Sequence, residues 1–159
     1  MSAFKTAVPS SVGRAGVTAV LTLAVAGGTM FAPGAAPPAR AATAHAWEAL
    51  RVAASKQGAP YQWGATGPNR FDCSGLTQYS YKRAGKSLPR TAAQQARRTR
   101  PIVAGSRQEG DLVFFRFRGR VYHVGVYAGD DMIWHSPKPG SRVRLEKIWT
   151  DNVSYGRVS

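Results

Sequence analysis

A chain of 159 residues is long enough for one domain with a modest core. Its single cysteine, Cys73, excludes an intramolecular disulfide framework. Twenty-two Lys and Arg against eight Asp and Glu give a formal charge of +14, a field that draws polyanions. The arginines between Arg97 and Arg144 are scattered and form no nucleic-acid-binding motif, so no nucleic acid is expected.

Lys5 and Arg14 make a positive start, residues 16–28 an apolar run, and a small-residue, Pro-rich stretch ends in Ala39-Arg40-Ala41. This is the layout of a secretory signal peptide with an A-x-A cleavage site. The apolar run falls short of the roughly 20 residues that a membrane span needs. Residues 1–41 are therefore expected to be a cleaved signal peptide. Residues 42–159 would then be a soluble, secreted, monomeric domain whose formal charge falls from +14 to +11 with the loss of Lys5, Arg14 and Arg40. Outside a bacterial cell the matching polyanions would be anionic wall polymers, and the plainer reading of the scattered basic residues is a soluble, wall-tolerant surface.

Residues 43–57 read as a helix, with Trp47, Leu50 and Ala54 at helical spacing and Gly58 as its stop. Residues 60–70 read as a Gly/Pro/Asn-rich loop. A second helix is expected from Cys73 to Gly85, capped by Asp72, and a short third after Arg90, with Thr91 and Gln94 as a capping box. Runs at 112–117, 121–128, 132–136, 143–148 and 153–158 read as antiparallel strands. Helices followed by strands predict an α+β domain, its helices packed on one antiparallel sheet.

A lone cysteine is most often a buried small hydrophobe. In Phe71-Asp72-Cys73-Ser74-Gly75-Leu76, however, the Asp72 cap would place Cys73 at a helix N-terminus, where partial positive charge favours the thiolate. Ser74 and Gly75 would leave room for a substrate backbone. A cysteine nucleophile needs a base, usually His, and a group that orients it. His123 shares a strand face with Val121, Gly125 and Tyr127, Gly125 leaving space beside it. His135 ends the next strand and would lie next to His123. His45 reads as a solvated helix residue. A zinc site from Cys73, His123 and His135 is the competing reading, but structural zinc sites carry closely spaced ligand pairs and these residues do not, so no metal or other cofactor is expected.

These segments resemble the NlpC/p60 cell-wall peptidases. The resemblance runs from Trp47 to Arg144, through Tyr61-Gln62-Trp63-Gly64, Phe71 to Leu76, Leu88-Pro89-Arg90-Thr91, Gly110 to Phe115 and His123 to Tyr127, in order. It implies a papain-like fold and hydrolysis of amide bonds in peptidoglycan stem peptides, usually after D-glutamate linked through its γ-carboxyl to a diamino acid. By position, it implies Cys73 as nucleophile, His123 as base and His135 as the orienting residue. Tyr61 would bind substrate or the oxyanion. Asp72 and Ser74 would lie near the stem-peptide groove, and Arg90 would have a structural role. Ala65 departs from a second glycine common in the family, which puts specificity in question rather than the triad. Two rival functions remain open: another papain-like amidase or acyl transferase acting on wall material, and a non-catalytic basic wall-binding module.

Overall fold

The computed structural model describes residues 38–159, and side chains from residue 44 onward. Most of the expected signal peptide lies outside them. The first helix, α1 (Pro38–Ser55), already runs through the expected cleavage point at Ala41. No helix among the described residues is long and apolar enough to cross a membrane.

Two further helices follow, α2 (Cys73–Arg83) and α3 (Ala92–Arg98). Both begin as their caps dictate. The Asp72 side chain accepts from the Gly75 amide, and Thr91 with Gln94 closes a reciprocal capping box. Six strands complete the domain: β1 (Arg100–Ile102), β2 (Leu112–Phe117), β3 (Arg120–Tyr127), β4 (Met132–His135), β5 (Arg144–Lys147) and β6 (Val153–Arg157). They form one antiparallel sheet in the order β1-β6-β2-β3-β4-β5. The α+β architecture is the expected one. The edge strand β1 was not anticipated: it has three residues, one of them Pro101, and pairs with a strand more than 50 positions away.

Sheet alternation sorts the core into two layers. Leu112, Phe114, Val124 and Val126 pack with Leu50, Ala53, Tyr81 and Leu88 from the helical side. Val113, Phe115, Tyr127, Ile133 and Tyr155 fill the opposite face. The inward face of α1 differs from the expected one. It is formed by Ala46, Ala49, Leu50 and Ala53, and Trp47 points outward at 56 % exposure. Small side chains let α1 approach closely, and a Trp in that row would not fit. His45 is half-buried rather than solvated, its ring Nδ1 bonded to the Ala84 carbonyl at the end of α2.

Two glycines have different uses from those expected. A Cβ on Gly75 would lie 2.0 Å from the Ala65 carbonyl oxygen. Gly75 therefore makes room for the 60–70 loop, not for substrate. A Cβ on Gly125 would meet Ile133 Cδ1 at 2.8 Å and the Trp134 carbonyl at 3.2 Å, so Gly125 lets β4 close on β3.

Candidate active site

The Asp72 carboxylate organises the start of α2. Oδ1 accepts from the Gly75 amide at 2.7 Å and from Arg90 Nη1 at 3.1 Å; Oδ2 accepts from the Gly64 amide at 2.9 Å and pairs with Arg90 Nη2. Arg90 also donates to Ser74 Oγ at 3.0 Å. Gln95, fully buried, donates to the carbonyls of Ser74 and Pro89, both at 3.0 Å, and so ties α3 to the same turn. The helix start that carries Cys73 is thereby fixed from three directions. Arg90 has the structural role expected of it. Replacing Arg90 with alanine leaves a carboxylate only 9 % exposed without its ion partner. Breaking such a pair from one side is costly, and partial exposure of Arg90 discounts it, so about 2 kcal/mol of stability should be lost in urea unfolding. A loss below about 0.5 kcal/mol would show that the amides alone satisfy Asp72.

On the sheet, β3 pairs with β4 through Val126–Trp134 and Tyr127–Ile133. Extending that register sets Gly125 opposite His135 and makes His123 its diagonal neighbour on the same face, within reach of long side chains. The two rings meet edge to face, with His123 Nε2 and His135 Nδ1 2.8 Å apart. His135 Nε2 lies 2.8 Å from Glu146 Oε2, on β5, and Arg144 Nε donates to the same oxygen at 2.8 Å. Glu146 was not identified from the sequence. Its only signal is that Arg144 and Glu146 share a strand face, and their relation to His135 appears only with the β4–β5 register, which pairs His135 with Arg144.

This chain fixes the tautomers by elimination. Burial opposes the Glu146 charge, but Arg144 and His135 outweigh it and hold the carboxyl below its usual range. The ionised carboxylate can only accept, so His135 Nε2 carries the proton and His135 Nδ1 accepts from His123 Nε2–H. The lone pair of His123 is then on Nδ1. Burial, then the neighbouring His135, depress the His123 pKa to about 3, against a smaller opposing pull from Glu146. Burial lowers His135 as well. Both rings are neutral near pH 7.

Cys73 and the two histidines line one open groove of about 480 Å³, together with Tyr61, Trp63 and Trp149. A second arm of about 360 Å³ continues past Cys73 along Asp72, Ser74 and Arg90, so Cys73 lies where the two arms join. The residues expected at the site are thus gathered in one place. Asp72 and Ser74 line the second arm with polar atoms already engaged inside the protein. Gly64 lines that arm, whereas Ala65 is not among the residues lining either. Among the described residues no three His, Cys, Asp or Glu side chains converge as metal ligands. A further bond joins the two sides of the groove: Ser136 Oγ, next to His135, donates to the Phe71 carbonyl, two residues before Cys73, at 2.8 Å.

The helix start does not lower the Cys73 pKa as expected from its position. Burial pushes the thiol up, the Asp72 carboxylate adds to this, and the amides of Ser74 and Val124 only partly offset them. Cys73 is protonated at neutral pH, beside a neutral imidazole.

Helices presenting a thiol to a histidine pair on an antiparallel sheet define a papain-like α+β domain. The chain belongs to the NlpC/P60 family, whose model matches residues 58–156. It is 44 % identical over 105 residues to a protein of Corynebacterium glutamicum named a probable endopeptidase, an alignment covering 66 % of this chain and 49 % of that one. It is 40 % identical over 116 residues to the bifunctional muramidase/DL-endopeptidase CwlT of Bacillus subtilis, covering 69 % of this chain and 35 % of the relative. An NlpC/P60 family protein of Bacillus cereus matches in structure with a TM-score of 0.67 and 32 % identity, covering 70 % of this chain and 39 % of that one. The chain spans half or less of the length of these proteins.

Proposed function

We propose that the chain is a secreted, cell-wall-associated cysteine peptidase that hydrolyses amide bonds in peptidoglycan stem peptides, at the D-γ-glutamyl–diamino acid bond. The observation that carries this reading is the meeting of Cys73, His123 and His135 in one groove, on the fold of a family whose relatives bear endopeptidase names.

His123 Nδ1 accepts the Cys73 thiol proton as Sγ attacks the carbonyl carbon. The Cys73 amide and the Tyr61 hydroxyl donate to the developing oxyanion. Collapse breaks the C–N bond, and the amine leaves with the proton held by His123. Water, deprotonated by His123, then hydrolyses the thioester and restores the thiol. His135 holds the His123 ring, and the Glu146 charge behind it favours the charged form of His123. No metal or organic cofactor enters this scheme. The basic surface holds the enzyme on anionic wall polymers, and residues 1–41 direct its export.

Digestion of purified peptidoglycan followed by mass spectrometry of the products tests the bond. Stems split after the γ-glutamyl residue are expected. Glycan freed of whole stems would instead identify an amidase, and no product at all from a folded protein would favour a wall-binding module.

The neutral thiol–imidazole pair has its own signature. Only thiolate reacts with iodoacetamide, and the Cys73 pKa is raised, so alkylation should be slow near pH 7. The rate should climb about tenfold per pH unit from about pH 7 towards pH 9. A rapid plateau between about pH 5 and 8 would mean a preformed thiolate–imidazolium pair and would overturn this resting state.

A further inference from the structure

We propose that a cleft beside the groove is a saccharide subsite, holding an N-acetylhexosamine ring of the glycan to which the stem peptide is joined. This rests on the peptidoglycan reading and adds a second ligand class to it.

Among the described residues seven large hydrophobic side chains are exposed, and three of them, Phe117 (63 %), Tyr122 (53 %) and Trp149 (48 %), line this single cleft of about 470 Å³. Its volume is that of a small-ligand site. Solvent-facing aromatics gathered in one concavity are a recognition surface rather than scattered exposure. Trp149 lies flat on buried Phe115, with ring centroids 4.0 Å apart and planes at 11°. Its indole is therefore a platform held in place before any ligand arrives, which saves ordering entropy on binding. The rest of the lining is polar: Arg116, fixed by a 3.0 Å bond to Ser154 Oγ, with Thr150 and Asn152. No carboxylate lines the cleft.

A pyranose ring matches this pattern. Its axial C–H bonds form an apolar face for Trp149 or Tyr122, its hydroxyls and acetamido group meet the polar rim, and its acetamido methyl adds apolar contact. Continuity with the groove supports this occupant over an unrelated one. Tyr122 lines the cleft and both arms of the groove, and Trp149 lines the cleft and one arm. In a stem peptide the γ-glutamyl residue is the second from the sugar, and two extended residues reach about 7 Å. With the sugar-proximal end of the stem laid along the arm that Trp149 lines, an attached glycan passes close to the cleft, the Trp149 ring being 5.7 Å from that of His123.

The test uses the Cys73→Ala protein, in which binding is read without turnover. Chitotriose is titrated in while the indole N–H resonance of Trp149 is followed by NMR. Saturable perturbation of that resonance is expected, with affinity at least tenfold weaker in a Cys73→Ala, Phe117→Ser double variant. Phe117 is exposed, so this change leaves the core intact. No perturbation by chitotriose, where a free stem peptide still binds the same protein, would overturn the saccharide subsite and leave the peptidase reading standing. Failure of both ligands would count against both. A Phe117-dependent dimer in light scattering would overturn the proposal in favour of a second copy as the occupant.

Discussion

Replacing Cys73 with alanine is expected to abolish release of split stem peptides from purified peptidoglycan while leaving the fold intact. In the proposed mechanism Cys73 Sγ forms the acyl intermediate, and neither histidine can substitute for it. Loss of a nucleophile in a cooperating set typically removes all but the binding contribution, roughly 10⁴-fold or more. The bonds that build the helix start use the Asp72 carboxylate and the Gly75 and Gly64 amides, none of which involves the thiol. Thermal unfolding should therefore shift by less than about 1 kcal/mol. Undiminished cleavage by the folded variant would sink the mechanism. A variant that unfolds would be replaced by Cys73→Ser, which keeps the side-chain shape and a hydrogen-bonding atom.

The second large effect is expected at Glu146, a residue two bonds removed from the base. Glu146→Gln removes the charge that fixes the proton on His135 Nε2. A glutamine amide can present its N–H₂ to that nitrogen, which would move the His135 proton to Nδ1 and set it against the proton on His123 Nε2. His123 would then lose either its orientation or its correct tautomer. In serine hydrolases, neutralising the carboxylate directly behind the base costs about 10⁴-fold in kcat. Glu146 acts one ring further back and is partly exposed, so a fall of roughly 10- to 100-fold is expected. The loss should fall on kcat with little change in KM, since positioning the base matters most in the transition state. The Glu146 charge raises the His123 pKa, so its removal should also move the acid limb of kcat to lower pH. An unchanged kcat would show that His135 keeps its tautomer unaided.

Much of this was legible in the chain because it is local. Asp72 three residues before Gly75, and Thr91 three before Gln94, are cap signals whose partners lie within a single turn. The β2 run from Leu112 to Phe117 is dense in apolar and aromatic residues because it sits in mid-sheet, with Leu112 to Phe115 buried on both faces. Reasoning failed where the deciding partner is distant. Trp47 matches the helical period of α1, but which face turns inward depends on how closely α2 and the sheet must approach. Gly75 and Gly125 were correctly read as positions that need space, yet the space is taken by Ala65 and Ile133 rather than substrate. Glu146 sits among charged residues on an edge strand and becomes part of the site only through the register that pairs Ile133 with it. The Cys73 thiol shows the same limit for electrostatics. The helix start is visible in sequence, but the burial that outweighs it comes from the whole groove.

The turn at 137–140 joins β4 to the ribbon that leads into β5, and three of its residues, Pro137, Lys138 and Pro139, form one lip of the groove. Both of its roots are anchored. Ser136 is bonded to the Phe71 carbonyl, and on the far side the Ser141 carbonyl accepts from the Tyr61 amide at 2.9 Å. The reacting groups all lie on the anchored segments and none on the turn. The lip is therefore a replaceable module: its length and side chains can be exchanged to reshape one wall of the groove, while Tyr61, Cys73 and the two histidines keep their alignment.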